Sequence, residues 1–467
     1  MYLDTSRPTF DATKHFAALL HQQGRLPLDA DLNEQALILL HQLRTMMIDL
    51  VGPTAIPKEH PGFQITAVNN NGKLDLTISA GRAYVDGILV ENESNVDYTG
   101  QPDGYLDPDN PADAVPAKTP FAVYLRVWER LITALQDPTI REIALGDPGP
   151  DTAARAKTVW QVALLPLSAE GTAAQQLKEF TDAVKGFNAN PGLLAARAKR
   201  PQDFDKDPCH TPPEAKYRGP ENQLYRVEIH SGGPAWNPDA PTNKNNDPGG
   251  ATFKWSRENG SVALPIQSLK GTKVFLGSLG RDGKLGLEVG DWVEISDDAA
   301  ASRIADDRPL TQAHWARPLL QIASIDYEGR SVTLSDAVPD ATGSQVALHP
   351  ILRLWDHASS TSYDSTRRSV ESDGALPVIE GEWITLEDGV QIQFTGPNQD
   401  GPAGTYRSGN YWTIPARTVT GDVEWSQGAN GPQPEPPRGV HYHYALLGTL
   451  KPPNVTVANQ PKTFKLT

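Results

Sequence analysis

His441-Tyr442-His443-Tyr444 is the segment whose residue types best suit a metal. Two histidines at i and i+2 project from the same face of a strand, and neutral imidazole suits a transition metal. Two ligands are half of an ordinary tetrahedral set. A complete site would therefore need copies of the chain meeting on a symmetry axis, such as three pairs in an octahedral arrangement. The plainer reading is a surface pair on a strand whose tyrosines pack inward. Cys209-His210 sits in a proline-rich loop with no second ligand at metal spacing. The expectation is no cofactor and no metal, with His441 and His443 the candidates if one is present.

Glycoside hydrolysis needs two carboxylates about 5–9 Å apart across the scissile bond. Glu380, Glu382, Glu387 and Asp388, beside Trp383, are the set in which such a pair could be sought. With 57 acidic residues, however, such neighbours arise by chance, and strand edges use charge to block aggregation. Arg257-Glu258, in FKWSREN, reads more simply as an ion pair at a strand end. No G-x-x-x-x-G-K-[ST], H-E-x-x-H, G-x-S-x-G or post-strand G-x-G-x-x-G occurs in the chain. The chain is expected not to be an enzyme.

The elements that must position these residues are mostly strands. Forty prolines and 39 glycines among 467 residues imply many turns between short strands. The net charge, 42 − 57 = −15, argues against a nucleic-acid or anionic-membrane surface. A single cysteine excludes an internal disulfide and fits a reducing compartment. No apolar run reaches the length of a membrane span and no signal-peptide pattern opens the sequence. Assembly in the cytoplasm follows, with release outside the cell by lysis as the further possibility.

Asp31 with Glu34 has the form of a capping box, opening a helix that stops at Gly52-Pro53. Its sequence, ALILLHQLRTMMIDLV, is apolar on more than one side, which requires burial from more than one direction. A core helix of its own chain and a helix covered by another subunit both satisfy that. From Phe63 the period becomes two. ITAVNNNGKLDLTI reads as a hairpin with an Asn-Gly turn, and a second turn falls at Asp86-Gly87. FAVYLRVWER and TVWQVALLPL are strands, joined by an extended excursion with a short helical piece. Residues 196–222 and 231–250 read as long loops, and LGLEVGDWVEISDD with LLQIASIDYEGRSVTL as a small barrel. Eight tryptophans lie in apolar context, whereas Trp236 and Trp315 have polar surroundings and could form a contact surface.

The predicted fold is mainly β: an N-terminal arm and helix, then β-sandwich or barrel-like modules with long Pro/Gly-rich loops. Predicted boundaries are 1–55 for the arm and assembly helix and 56–266 for a first β domain with long loops. An inserted small β-barrel follows at 267–340, and a C-terminal β region returning to the main core at 341–467.

Several strings carry a family resemblance: SRPTFDATKHFAALLHQQGRLPLDADLNEQ from Ser6, VWERLITALQDPTIREIALGDPGPDTAARAKTVWQV from Val127, ENQLYRVEIH from Glu221, ATFKWSRENGSV from Ala251 and GNYWTIPARTVTGDVEW from Gly409. Together they resemble proteins encoded with phage tails and phage-tail-like contractile injection systems. The resemblance implies a baseplate-associated, cage-like or fibre-like structural subunit and no catalytic residues. Some of those proteins continue into further C-terminal modules, whereas this sequence runs to Thr467. Tail assemblies have cyclic symmetry, so the implied form is a homo-oligomer, with a trimer favoured. Its implied partners are the baseplate, spike or sheath of the particle. Gln23, Arg25, Leu28, Leu37, Leu40 and Met47 are the expected assembly contacts. A glycan- or cell-surface-binding module on the same particle, and a glycan hydrolase, are the rival readings.

Overall fold

The structure, a computed structural model, describes residues 2–70, 73–111, 113–168, 171–187, 189–199, 216–236, 250–280, 286–303, 318–339, 341–357, 373–397, 404–429, 431–452, 454, 456–458, 461 and 463–464. It is mainly β, with one long N-terminal helix and many sheets. The chain divides into two compact units, and each is built from separated stretches of sequence.

One unit comprises residues 8–131, 155–188 and 440–467. Its long helix, α1, spans Asp29–Val51. The sequence placed the start at Asp31, but Leu28 is the N-cap and Asp31 is the third helical residue. Leu28 has no side-chain acceptor, so only half of a capping box exists: the Asp31 carboxylate accepts from the Leu28 N–H at 3.4 Å. Two aspartates in the first turn also suit the positive helix end. Gly52 ends the helix with φ +87°. After α1 come a four-stranded sheet in the order Thr463–Phe464, Thr54–Pro57, Gly81–Val85 and Ile88–Asn92, and two three-stranded sheets. Asp86 and Gly87 both adopt positive φ, 46° and 76°, as the predicted tight turn requires. In the first hairpin Asn70 pairs with Lys73, and the expected Asn71-Gly72 turn lies outside the described residues. Phe63, Leu76, Ile78, Phe121, Leu125 and Trp160 contribute to the buried core of this unit.

A second helix, α2 (Ala173–Gly186), has no counterpart in the sequence reading. Its signal was present: Thr172 and Gln175 form a reciprocal capping box. Phe180 on its inner face packs against Tyr124 at 5.4 Å.

The other unit comprises residues 1–7, 132–154 and 189–439. A five-stranded sheet runs Leu376–Pro377, Thr252–Ser256, Gln223–Ile229, Tyr411–Arg417, Asp422–Val423. It shares one core with the three-stranded sheet Trp383–Thr385, Val390–Thr395, Leu193–Ala198. Tyr225, Phe253 and Trp412 from the first sheet meet Leu194, Ile392 and Phe394 from the second. Six strands close a barrel with its own core, beginning at Ala263–Lys270 and ending at Ile351–Trp355.

These units differ from the boundaries drawn from sequence. The barrel strands extend past 267–340 at both ends. Residues 56–266 do not stay together, because Leu193–Ala198 and Gln223–Ile229 pair with Val390–Thr395 and Tyr411–Arg417. Nor do residues 341–467 return to one core, since His443–Leu450 pairs with Phe121–Ile132 in the other unit. The excursion after Ile132 contains two single-turn 3-10 helices, Pro138–Ile140 and Ile143–Leu145.

Candidate assembly surface

The side of α1 that rests on its own unit is narrow. Only Ala30 and Ile38 are buried. Arg44 bonds Glu129 at 2.6 Å, and the Asp86-Gly87 turn abuts the helix so closely that a Cβ on Gly87 would lie 2.4 Å from the Arg44 carbonyl oxygen. The arm lies along one flank, with the Leu19 N–H donating to Gln35 Oε1 at 2.8 Å and the Phe10 ring 5.9 Å from that of His41. A hollow of about 230 Å³ between them is lined by Phe10, Phe16, Ile38 and His41 among others.

A strip of the rest of the helix is apolar and open to solvent. Leu32, Leu39, Leu43, Met46 and Leu50 are 61, 50, 56, 53 and 60% exposed. With Ala36, also exposed, they recur at intervals of 4, 3, 4, 3 and 4 residues. That is the alternation of a coiled-coil seam, which keeps its side chains on one face for a neighbouring helix to interlock with. Leu40 and Met47 occupy the position beside the seam and widen it; Leu40 is 39% exposed and Met47 half-buried. Leu37, 42% exposed, lies nearer the side held by the chain itself.

The other expected contacts fall before the helix. Gln23 and Arg25 are exposed on a turn in which the Arg25 N–H donates to the Gln22 carbonyl, with Gly24 at φ +72°. The turn therefore runs Gln22–Arg25. Leu28, the N-cap, is 52% exposed. The strip Leu32, Leu39, Leu43, Met46, Leu50 was not singled out from sequence, because Ile38, Leu40 and Met47 hide its spacing within a helix apolar on several sides. The 4-3-4-3-4 interval was the signal that could have found it.

Several of the other sequence candidates are held in internal contacts. His443 Nδ1 is 2.9 Å from Asp86 Oδ2, and burial, then His443, pushes the His441 imidazole below its usual range. No group of three His, Cys, Asp or Glu among the described residues could hold a metal. Glu387 receives Arg257 through Nε at 2.7 Å and Nη2 at 2.8 Å, and the Tyr225 hydroxyl at 3.0 Å. Glu380 accepts from the Tyr406 hydroxyl at 2.8 Å. The Arg197 guanidinium lies 3.8 Å over the Trp383 ring, where a sugar would have to stack. Trp236 is half-buried, its backbone N–H donating to the Val378 carbonyl. Trp315, Cys209 and His210 lie outside the described residues.

A second feature went unread in the sequence: a buried socket filled by Tyr2. Arg226 lies in a strand and Arg353 in the barrel, and their guanidiniums sit 4.2 and 3.6 Å from the Tyr2 ring. Arg226 also stacks on Tyr411 at 3.5 Å. The Tyr2 hydroxyl donates to Glu228 Oε1 at 2.7 Å. Glu228 in turn pairs with Arg226 at 2.6 Å and Lys254 at 3.4 Å, and Lys254 with Glu294 at 2.9 Å. Asn259 donates to the Leu3 carbonyl at 2.8 Å. The next residues are held outside: Arg7 bonds Glu424 at 2.9 Å, and Arg417 donates to the Ser6 carbonyl at 3.3 Å.

The chain belongs to DUF6519, a family of unknown function, matched over residues 1–189 and 183–456. No curated protein and no solved structure matches it. Among the described residues no helix is long and apolar enough to cross a membrane.

Proposed function

We propose that the chain is a non-enzymatic structural subunit of a phage-tail-like contractile particle, assembling as a symmetric homo-oligomer, with a trimer favoured. The exposed coiled-coil seam on α1 carries this reading. A seam of that spacing fits another helix of the same spacing, and a second copy of the chain supplies one. In cyclic symmetry the copies of α1 run parallel around the axis, and the apolar positions beside the seam, Leu40 and Met47, favour more than two strands. The seam spans under three heptads, which is short for an independent coiled coil. The β units must therefore add contacts of their own. The particle context rests on the sequence resemblance alone.

Covering the half-exposed Leu and Met side chains of the seam would stabilise the oligomer by roughly 1 kcal/mol each per protomer, half of full burial. Leu39→Asp with Leu43→Asp removes two of these and places two carboxylates in the seam. The expected result is loss of about 4 kcal/mol per protomer, a dissociation constant weakened about 10³-fold, with the circular dichroism of the folded chain unchanged. Light scattering across a dilution series reads this directly. A wild-type protein that stays monomeric at high micromolar concentration, or a double variant that still assembles, would overturn the proposal. Co-sedimentation of the chain with sheath and tube in purified particles tests the context separately.

A further inference from the structure

The geometry points to an exchanged arm: in the oligomer, the segment Tyr2–Arg7 of each chain plugs the Arg226–Arg353 socket of a second copy. This rests on the homo-oligomer proposed above and says how its copies are locked together.

Three observations carry it. First, the socket is built for this segment. Two guanidiniums lie over the Tyr2 ring, its hydroxyl reaches a carboxylate, and Asn259 reads the next peptide carbonyl. Gly260 leaves the space, since a Cβ there would lie 2.8 Å from the Tyr2 ring. Two buried cations over one aromatic ring make a specific contact. Any chain bearing the same segment satisfies it equally.

Second, the connection between plug and helix is irregular and rests on α1 through few bonds, among them Thr9 Oγ1 to the Ala30 carbonyl at 3.4 Å and the Leu19 N–H to Gln35 Oε1 at 2.8 Å, which exchange must release. Residues 8–28 contain one three-residue 3-10 turn and no strand, and Leu20 and Leu26 are 85 and 86% exposed. Released from α1, twenty-one residues can reach about 70 Å when extended.

Third, these residues lead straight into α1. If the seams of several α1 helices meet, neighbouring helices stand about 8–10 Å apart. Each arm then starts beside the α1 of the next copy as well as its own. Exchange of an identical segment requires no new contact and is a low-cost route to an interlocked oligomer. It also covers the exposed apolar residues of the arm between copies.

Arg7 and Glu424, both on the surface, give the test. The full chain carrying Arg7→Cys and Glu424→Cys, with Cys209→Ser, is prepared both isotopically heavy and light. The two are mixed, unfolded and refolded together, sized by light scattering, and treated with a short bis-maleimide. Exchange predicts an oligomer in which about half of the cross-linked 7–424 peptide pairs carry one heavy and one light partner, with a covalent ladder on a denaturing gel. An oligomer in which every cross-linked pair is all-heavy or all-light, running as single chains, overturns the exchange and leaves the proposed assembly standing. A monomer by light scattering with cross-links only within chains overturns both. Gly260→Val, which fills the plug's space, should remove the ladder while the double-cysteine chain remains folded; a persistent ladder would also count against the socket.

Discussion

Arg226→Ala is expected to lower the stability of the socket-bearing unit by about 3–5 kcal/mol, the range for breaking a buried ion pair from one side. Arg226 is only 2% exposed. Its guanidinium meets Glu228 at 2.6 Å and Asn259 at 3.2 Å, and lies between the rings of Tyr411 and Tyr2. Burial pushes the Glu228 carboxyl up, but Arg226 and then Lys254 outweigh it and hold the group below its ordinary range. Removing Arg226 leaves that buried carboxylate with Lys254 at 3.4 Å and the Tyr2 hydroxyl. It also opens space between two aromatic rings, which adds the cost of a cavity. Arg226→Lys keeps a charge but loses the plane that stacks and the fork that bonds twice, so it should recover only part of the loss. Urea unfolding followed by tryptophan fluorescence gives the comparison. A loss under about 1 kcal/mol for Arg226→Ala would mean that Glu228 finds solvent, contrary to the buried socket.

That network shows where the sequence can be read and where it cannot. LYRVEIH alternates apolar and charged residues, the pattern of a strand with one wet face. Both faces are in fact buried, because Lys254 arrives from the next strand, Glu294 and Arg353 from the barrel, and Tyr2 from the far end of the sequence. Local alternation cannot report partners that lie from tens to more than two hundred residues away. The same limit governed the domain boundaries, since Leu193–Ala198 finds its partner at Val390–Thr395. Features encoded within a few residues were legible: the period-two strands, the Asp86-Gly87 turn and the stop at Gly52. α2 was equally local, through Thr172 and Gln175, and was overlooked. For α1 the composition shows an excess of apolar surface, but only the fold shows which strip the chain itself leaves open.

Stability should also fall on mild acidification, through a buried histidine behind the socket. His357 is 2% exposed and stacks on Trp292 at 5.7 Å. Its Nε2 lies 2.8 Å from the Gly374 carbonyl, so Nε2 carries the proton and donates, leaving Nδ1 as a bare lone pair. Nδ1 is buried and without a partner, and a proton placed there would put an unpaired charge in the interior. Burial lowers the His357 pKa from 6.5 to about 4; the Gly374 bond opposes this, while His230 and Lys254 add to it. In the unfolded chain the imidazole takes its proton near 6.5, in the folded chain only near 4. Between those values acid favours the unfolded state, so the contribution is complete above 6.5 and disappears as pH falls through 4. For His357 alone that is about 2 kcal/mol between pH 7 and pH 5. His230, also pushed down by burial and by Lys254, acts in the same direction. Glu294, held at about 2 because Lys254 and Arg353 outweigh its burial, adds a second loss between 4.5 and 2. Asp291 and Asp356, pushed up chiefly by burial, act in the opposite sense. His357→Gln isolates the imidazole from all of these, because an amide can still donate to Gly374 and does not titrate. The wild type should lose about 2 kcal/mol more than His357→Gln between pH 7 and pH 5 in urea titrations. Parallel losses for the two proteins would show that His357 is protonated as readily in the folded chain as in the unfolded one, and that the interior around Trp292 admits the charge.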